Sequence, residues 1–255
     1  MTHKVISVYG NSYKTTTAIN LTALLASMYP KASIAYVSVD NLQPALPLIF
    51  PRIDSENSLG KLMSRVDDID ADAILSTGEI ARNNLAVYGY NKGENVNSYA
   101  KTVDSRIDDL YMYMRSIFDI TVIDCTKDVM GSKYTEKAII NSDVTVNLIS
   151  CDIYGLTFFD SQQPILKHAQ YRYDSFINCL TLGNAFEQDT MEMADFTGAK
   201  HIIPYSKKVV EAINQGLAFD KVPDKNYRNV LYKIIKEITG EKTAEIGDED
   251  NRNND

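Results

Sequence analysis

Short apolar runs alternate along this chain with longer stretches whose apolar positions recur every three or four residues. Residues 5–9 form a β-branched run that breaks at Gly10. After Lys14 the positions Ala18, Leu21, Leu25 and Met28 fall on one helical face, and Pro30 ends the segment. The pattern predicts a helix over 14–28. Residues 33–39 are again short and β-branched, too brief for a helix between their flanking breakers, and the run ends on Asp40. Strand, helix and strand in this order make a right-handed parallel βαβ unit, and such sheets bind ligands beyond the carboxyl ends of their strands. Residues 10–15 and Asp40 fall at that edge.

The section 42–115 carries Pro44, Pro47 and Pro51, then polar helical segments over 58–66 and 71–82, a short strand at 84–89 and a polar loop at 90–97. Val103, Ile107, Leu110, Met114 and Ile117 mark an amphipathic helix over 103–117. Residues 118–124 then repeat the earlier device, an apolar strand ending on an acid, which places Asp124 as a second carboxylate at the same edge. Further strands are predicted at 143–150, 175–182 and 200–204, with helices at 156–170 and 209–215. A last helix carries Val230, Leu231, Ile234, Ile235 and Ile238, with Gly240 as its stop. This alternation predicts an α/β fold with a single doubly wound, mostly parallel sheet flanked by helices, one domain over 1–240. The acidic, polar segment 241–255 is expected to be a disordered tail. That tail would be repelled by anionic lipid, so the last helix is expected to pack on the sheet rather than anchor to a membrane.

Composition narrows the function classes. At 44% hydrophobic and 24% charged residues the chain is globular in character. No apolar run has the length of a membrane span and the start leads into a strand without a signal-peptide core, which points to the cytoplasm. Cys125, Cys151 and Cys179 lie singly in or beside apolar segments without metal-ligand spacing, as buried reduced thiols do. A net charge of −8 disfavours general affinity for nucleic acid, although a local basic face stays open.

The chemistry is concentrated between strand and helix at 10–17, Gly-Asn-Ser-Tyr-Lys-Thr-Thr-Thr. A phosphate-binding loop, G-x-x-x-x-G-K-[ST], uses glycines to wrap backbone N–H groups around phosphate oxygens, a lysine to reach the β/γ-phosphates and a hydroxyl to bind Mg²⁺. Lys14 and Thr15 match. Tyr13 stands where the last glycine belongs and Val8 where the first does; anchoring on Gly10 leaves the loop two residues short. The alternative is an ordinary strand-turn-helix with a chance Lys-Thr.

Three ordered stretches favour the first reading. Lys14-Thr-Thr-Thr-Ala-Ile-Asn-Leu21, Phe118-Asp-Ile-Thr-Val-Ile-Asp124 and Ile203-Pro-Tyr-Ser-Lys-Lys-Val-Val-Glu-Ala-Ile-Asn-Gln-Gly216 are similar to consecutive motifs of the MinD/ParA group of deviant Walker A P-loop ATPases. The resemblance runs through nearly the whole chain. It implies a P-loop NTPase fold, ATP and Mg²⁺ as cofactors, slow ATP hydrolysis and a nucleotide-dependent homodimer. The implied partner is a protein of a positioning, pilus/secretion or partition system. Gly10, Asn11, Ser12, Tyr13, Lys14, Thr15 and Thr16 would surround the phosphates. Within that loop Lys14 would contact phosphate and Thr15 would ligate Mg²⁺, while Asp124 would hold a metal-bound water. Asp40 matches the acid that orients the attacking water, and Asn184 and Pro204 resemble the base-contacting positions.

The chain also departs from the group. Its signature lysine, which reaches across the dimer, is replaced by Tyr9; the first acid of the D-x-D pair is Ser38; and the prolines after the strand-end acid are Thr126 and Lys127. Lys127 could restore some positive charge or be a solvated surface lysine. The strand at 84–89, Leu42-Gln43 after Asp40 and the atypical loop look most like the CpaE/TadZ branch, with partition proteins as competitors. Two readings follow: an ATP-binding positioning protein, or a pseudo-ATPase scaffold that binds protein partners without turnover. An ordinary P-loop kinase lacks an acceptor-substrate motif here.

Overall fold

A computed structural model describes residues 3–50, 57–95, 97–183 and 189–241. The chain runs β1 (Lys4–Gly10), α1 (Lys14–Met28), β2 (Ile34–Ser38), α2 (Leu46–Ile49), α3 (Leu59–Met63), α4 (Ala71–Thr77), β3 (Glu79–Arg82) and β4 (Leu85–Tyr88). It continues α5 (Asp104–Ile117), β5 (Ile120–Asp124), α6 (Lys133–Asn141), β6 (Val144–Ser150), α7 (Ile153–Leu166), β7 (Phe176–Thr181), α8 (Thr190–Thr197), β8 (His201–Ile203), α9 (Lys207–Asn214) and α10 (Lys225–Thr239). One eight-stranded sheet has the order β3-β4-β2-β5-β1-β6-β7-β8, parallel throughout except for β3. The expected fold class is what forms. β5 lies between β1 and β2, so the two strands of the first βαβ unit are parallel but not neighbours.

Period-two alternation along β1 divides the core. Ile6 and Val8 pack with α1, α9 and α10 on one face, whereas Val5 and Tyr9 join α3 to α7 on the other. Central strands covered on both faces read as continuous apolar runs, which is why they were legible. On α10, Leu231, Ile234 and Ile235 are fully buried against the sheet. Burial of each such side chain stabilises the fold by about 1.5–3 kcal/mol, so the apolar stripe of α10 is consumed internally. Among the described residues no helix is long and apolar enough to cross a membrane.

One expected helix is shorter than its pattern. The 71–82 segment leaves the helix at Gly78, whose backbone is extended, and residues 79–82 become the antiparallel edge strand β3. Tyr88 packs where a side chain at position 78 would stand, so the chain turns there. The tail beyond Glu241 lies outside the described residues.

Registers fix the functional edge. Val8 and Ser38 both pair with Asp124, which brings the ends of β1, β2 and β5 level. The chain winds outward from β1 in both directions, with β5 on one side and β6 on the other. The crevice at such a reversal is where doubly wound sheets hold ligands.

Candidate functional site

Gly10 ends β1 with φ 131°, and a Cβ there would run into the Leu148 carbonyl of β6. Only glycine fits. Asn11 then ties the loop to β6: its backbone N–H donates to the Leu148 carbonyl at 3.0 Å, its side-chain amide donates to Ser150 Oγ at 2.9 Å, and its Oδ1 accepts from the Ser150 N–H at 3.0 Å. Ser12 follows, half-buried. Tyr13 sits in the left-handed region at φ 49°, ψ 24° and precedes α1 without capping it through its side chain. The first N–H groups of α1, at Lys14, Thr15 and Thr16, therefore have no side-chain cap and carry the positive end of the helix dipole.

Asp124 lies beneath this helix start and is fully buried. Its Oδ2 accepts hydrogen bonds from Thr15 Oγ1 at 2.8 Å, Tyr36 OH at 3.0 Å and Ser38 Oγ at 3.4 Å. Its Oδ1 has no hydrogen-bond partner among the described residues. Burial pushes the carboxyl up to about 6, against the Thr15 hydrogen bond, the Lys14 charge and the Tyr36 hydrogen bond, which favour the carboxylate. Tyr36 carries no signal of this role in the sequence. On sequence it is one more apolar residue of a strand, and only the register of β2 against β5 shows its hydroxyl reaching the acid.

Asp40 closes the turn after β2 by accepting the Leu42 and Gln43 N–H groups on Oδ1 at 2.9 and 3.1 Å. With Asn11 and Lys14 it borders an open cleft of about 860 Å³. Thr16 and Pro204 lie elsewhere, on a narrow groove shared with Tyr13, Leu182, Tyr205 and Tyr227. The Tyr13 and Tyr205 rings meet there at 6.3 Å between centroids, and the groove encloses only about 10 Å³, at most one water. Asn184 lies outside the described residues. Loop, Lys14, Thr15, Asp124 and Asp40 thus converge on one edge, while Thr16 and Pro204 lie beside the Tyr13–Tyr205 ring pair.

The residues fit Mg²⁺ and phosphate at one end. A hydroxyl and a carboxylate are hard oxygen donors, and the unpartnered Oδ1 can accept from a metal-bound water. Among the described residues no group of three or more His, Cys, Asp or Glu could hold a metal. Mg²⁺ needs no such group, because it keeps several waters and takes phosphate oxygens.

Tyr9 is buried, its one phenolic O–H shared between Gln162 Oε1 at 3.1 Å and the Lys127 carbonyl at 3.3 Å, its ring 5.8 Å from Phe158. It points into the second core and presents no cation outward. The three cysteines are buried and free.

No protein-family model and no curated protein sequence matches the chain. Solved structures do. A ParA family ATPase from Chlorobium tepidum TLS has a TM-score of 0.77 at 13% identity, covering 91% of this chain and 98% of that one. The septum site-determining protein MinD of Pyrococcus horikoshii OT3, complexed with Mg-ADP, has a TM-score of 0.73 at 17% identity, covering 93% and 96%. The MinC:MinD cell division complex of Aquifex aeolicus has a TM-score of 0.69 at 15% identity, covering 94% and 98%. At these identities the likeness is one of fold, end to end.

Proposed function

We propose that this chain is a MinD/ParA-like protein that binds Mg-ATP at the 10–16 loop and uses it for spatial positioning or partition. The observation that carries the reading is the 2.8 Å bond between Thr15 Oγ1 and a fully buried Asp124 whose second oxygen has no partner among the described residues. A hydroxyl and a carboxylate so placed, under an uncapped helix start and beside Lys14, suit a metal-bound triphosphate. Bound Mg²⁺ supplies neutralisation of phosphate charge. Lys14 would contact the terminal phosphates, Thr15 and Asp124 would hold the ion and its water, and Asp40 would orient the attacking water. Phosphoryl transfer needs positioning and charge neutralisation more than covalent chemistry, so this small set suffices for slow hydrolysis.

Nucleotide-dependent homodimerisation and a protein partner belong to the same reading. The likeness to a MinD structure containing MinC supports a partner-binding role. Placement in the CpaE/TadZ branch, and hence pilus or secretion machinery, rests on the residues around 42–43 and 84–89. The pseudo-ATPase scaffold is the second reading. It is favoured by the closed Tyr13–Tyr205 pair and by the inward turn of Tyr9.

Calorimetric titration with Mg-ATP, beside Lys14→Ala, tests the proposal. Saturable binding below millimolar nucleotide that Lys14→Ala weakens by about tenfold or more is expected. No saturable heat, or equal binding by the variant, would leave the scaffold reading. Sizing with and without ATP then tests dimerisation.

A further inference from the structure

The cleft in front of Lys14 is larger than a terminal phosphate requires. At about 860 Å³ it is within the range of a whole small-molecule site, about 300–1,000 Å³. Its charge is also unlike that of the chain: Lys14, Lys101, Lys127 and Lys133 line it against Asp40 and Asp128, a formal +2 on a protein of −8. Lys133 is engaged by Glu136 at 2.7 Å. Lys14, Lys101 and Lys127 have no ion-pair partner among the described residues. Both acids have an oxygen committed to backbone N–H groups, Asp40 at Leu42 and Gln43 and Asp128 at Gly131.

Neither distal lysine hangs on a loose loop. Lys101 follows Tyr99, whose ring lies over Gly60 so closely that a Cβ there would strike it, and whose hydroxyl bonds Glu94 and Ser58. It precedes Thr102, which is tied to Tyr134 at 2.9 Å. Lys127 is held on three sides. Thr126 bonds Thr135 through backbone and side chain at 3.0 and 2.9 Å, Asp128 closes its own turn, and the Lys127 carbonyl accepts the Tyr9 phenol at 3.3 Å. Two exposed lysines without an ion-pair partner among the described residues, on anchored backbone and lining one cavity, make a candidate anion site, because the backbone part of the ordering cost is met before a ligand arrives.

We propose that this cleft binds a second ligand, a small phosphorylated molecule whose phosphoryl oxygens meet Lys101 and Lys127, beside the nucleotide phosphates at Lys14. The placement of a second ligand next to nucleotide rests on the reading of residues 10–16 above; the anion site itself rests on the cleft. Lysine is a point-charge phosphate binder, so affinity must fall as salt rises.

The test uses the full chain and pyrophosphate as probe, titrated calorimetrically with and without saturating Mg-ATP, at about 50 and about 250 mM salt. The expected result is saturable, salt-sensitive binding that persists with Mg-ATP present. The double variant Lys101→Gln/Lys127→Gln should bind pyrophosphate about tenfold more weakly or worse, with Mg-ATP binding changed less than about threefold. Arginine at both positions, Lys101→Arg/Lys127→Arg, should keep the pyrophosphate affinity. Unchanged binding in the glutamine variant, or complete displacement by Mg-ATP, would overturn the proposal, the latter showing that the nucleotide's own phosphates fill the cleft. If the wild type binds pyrophosphate through Lys101 and Lys127 but shows no Mg-ATP binding, the cleft stands and only the nucleotide reading falls.

Discussion

Replacing Tyr13 separates backbone strain from side-chain contact at the one loop position where the two conflict. At φ 49°, ψ 24° a residue with a Cβ pays about 1–2 kcal/mol relative to glycine. Against that, glycine costs about 0.4–1 kcal/mol relative to alanine in unfolded-state entropy. The ring contact with Tyr205, of the kind worth about 0.5–1.5 kcal/mol, is lost in Tyr13→Gly and Tyr13→Ala alike. The difference between the two variants therefore isolates the backbone term, and Tyr13→Gly should be the more stable by about 0.5–1 kcal/mol. Urea denaturation at fixed pH, with equal m-values for the two proteins, measures it. Alanine as stable as glycine, or more so, would refute the left-handed conformation at this position. The same pair tests the groove: if a nucleotide base must part the two rings, Tyr13→Ala should bind Mg-ATP about two- to tenfold more tightly than wild type, the ring-pair energy converted to affinity. Unchanged affinity would mean that the rings do not stand in the way.

Other consequences are as direct. Asp124, raised from 3.8 to about 6, makes the folded state favour its proton, so its stabilising contribution is fully present below pH 3.8 and lost as pH rises through 6. In metal-free buffer, Asp124→Asn should gain about 3 kcal/mol on wild type between acid and pH 8, read from urea midpoints across that range, and a difference that is flat or of opposite sign would contradict the burial argument. Gly10→Ala should destabilise by roughly 3 kcal/mol or more, since positive φ and a clash with the Leu148 carbonyl add, and thermal melts check it. Leu231→Ala, on the buried stripe of α10, should cost about 2–5 kcal/mol by the same measurement without altering the edge chemistry.

What could be read before the structure depended on how strongly each segment is buried. β1, β2, β5, β6 and β7 are covered on both faces, and their apolar runs stood out; α5 and α10 carry clear stripes. The helices without a signal in the apolar pattern are short and shallow: α2 has only four residues, α6 buries only Thr135, Ala138 and Ile139, and α8 only Met193 and Thr197, the last two started by a capping side chain, Ser132 or Asp189. Such caps were the available signal. Edge strand β3 leaves Ile80 exposed and so offers no alternation to find. At the site, chain order gave Lys14, Thr15, Asp40 and Asp124 because each stands at the end of a recognisable element. Tyr36, Ser38 and the cleft lysines Lys101 and Lys127 were not readable as one site, since what unites them is register and loop packing, across residues far apart in the chain.

The two ends of the edge argue differently about nucleotide, and energetics weighs them. The Tyr13–Tyr205 closure is shallow, about 0.5–1.5 kcal/mol, and would yield to a ligand of modest affinity. The carboxylate beneath the start of α1 is a larger commitment: an ionised, fully buried Asp124 costs about 3 kcal/mol at neutral pH, and its hydroxyl donors all meet one oxygen. In a scaffold that binds no cation the charge is an uncompensated cost; asparagine would remove it and still satisfy the same donors, while burying an amide NH2 where Oδ1 has no partner among the described residues. A bound cation would reverse the sign, stabilising the ionised form and with it the fold, so that ligand binding and folding would be linked through Asp124. Nucleotide with Mg²⁺ should therefore raise the melting temperature of wild type more than that of Asp124→Asn. Equal shifts would show that Asp124 does not hold the cation.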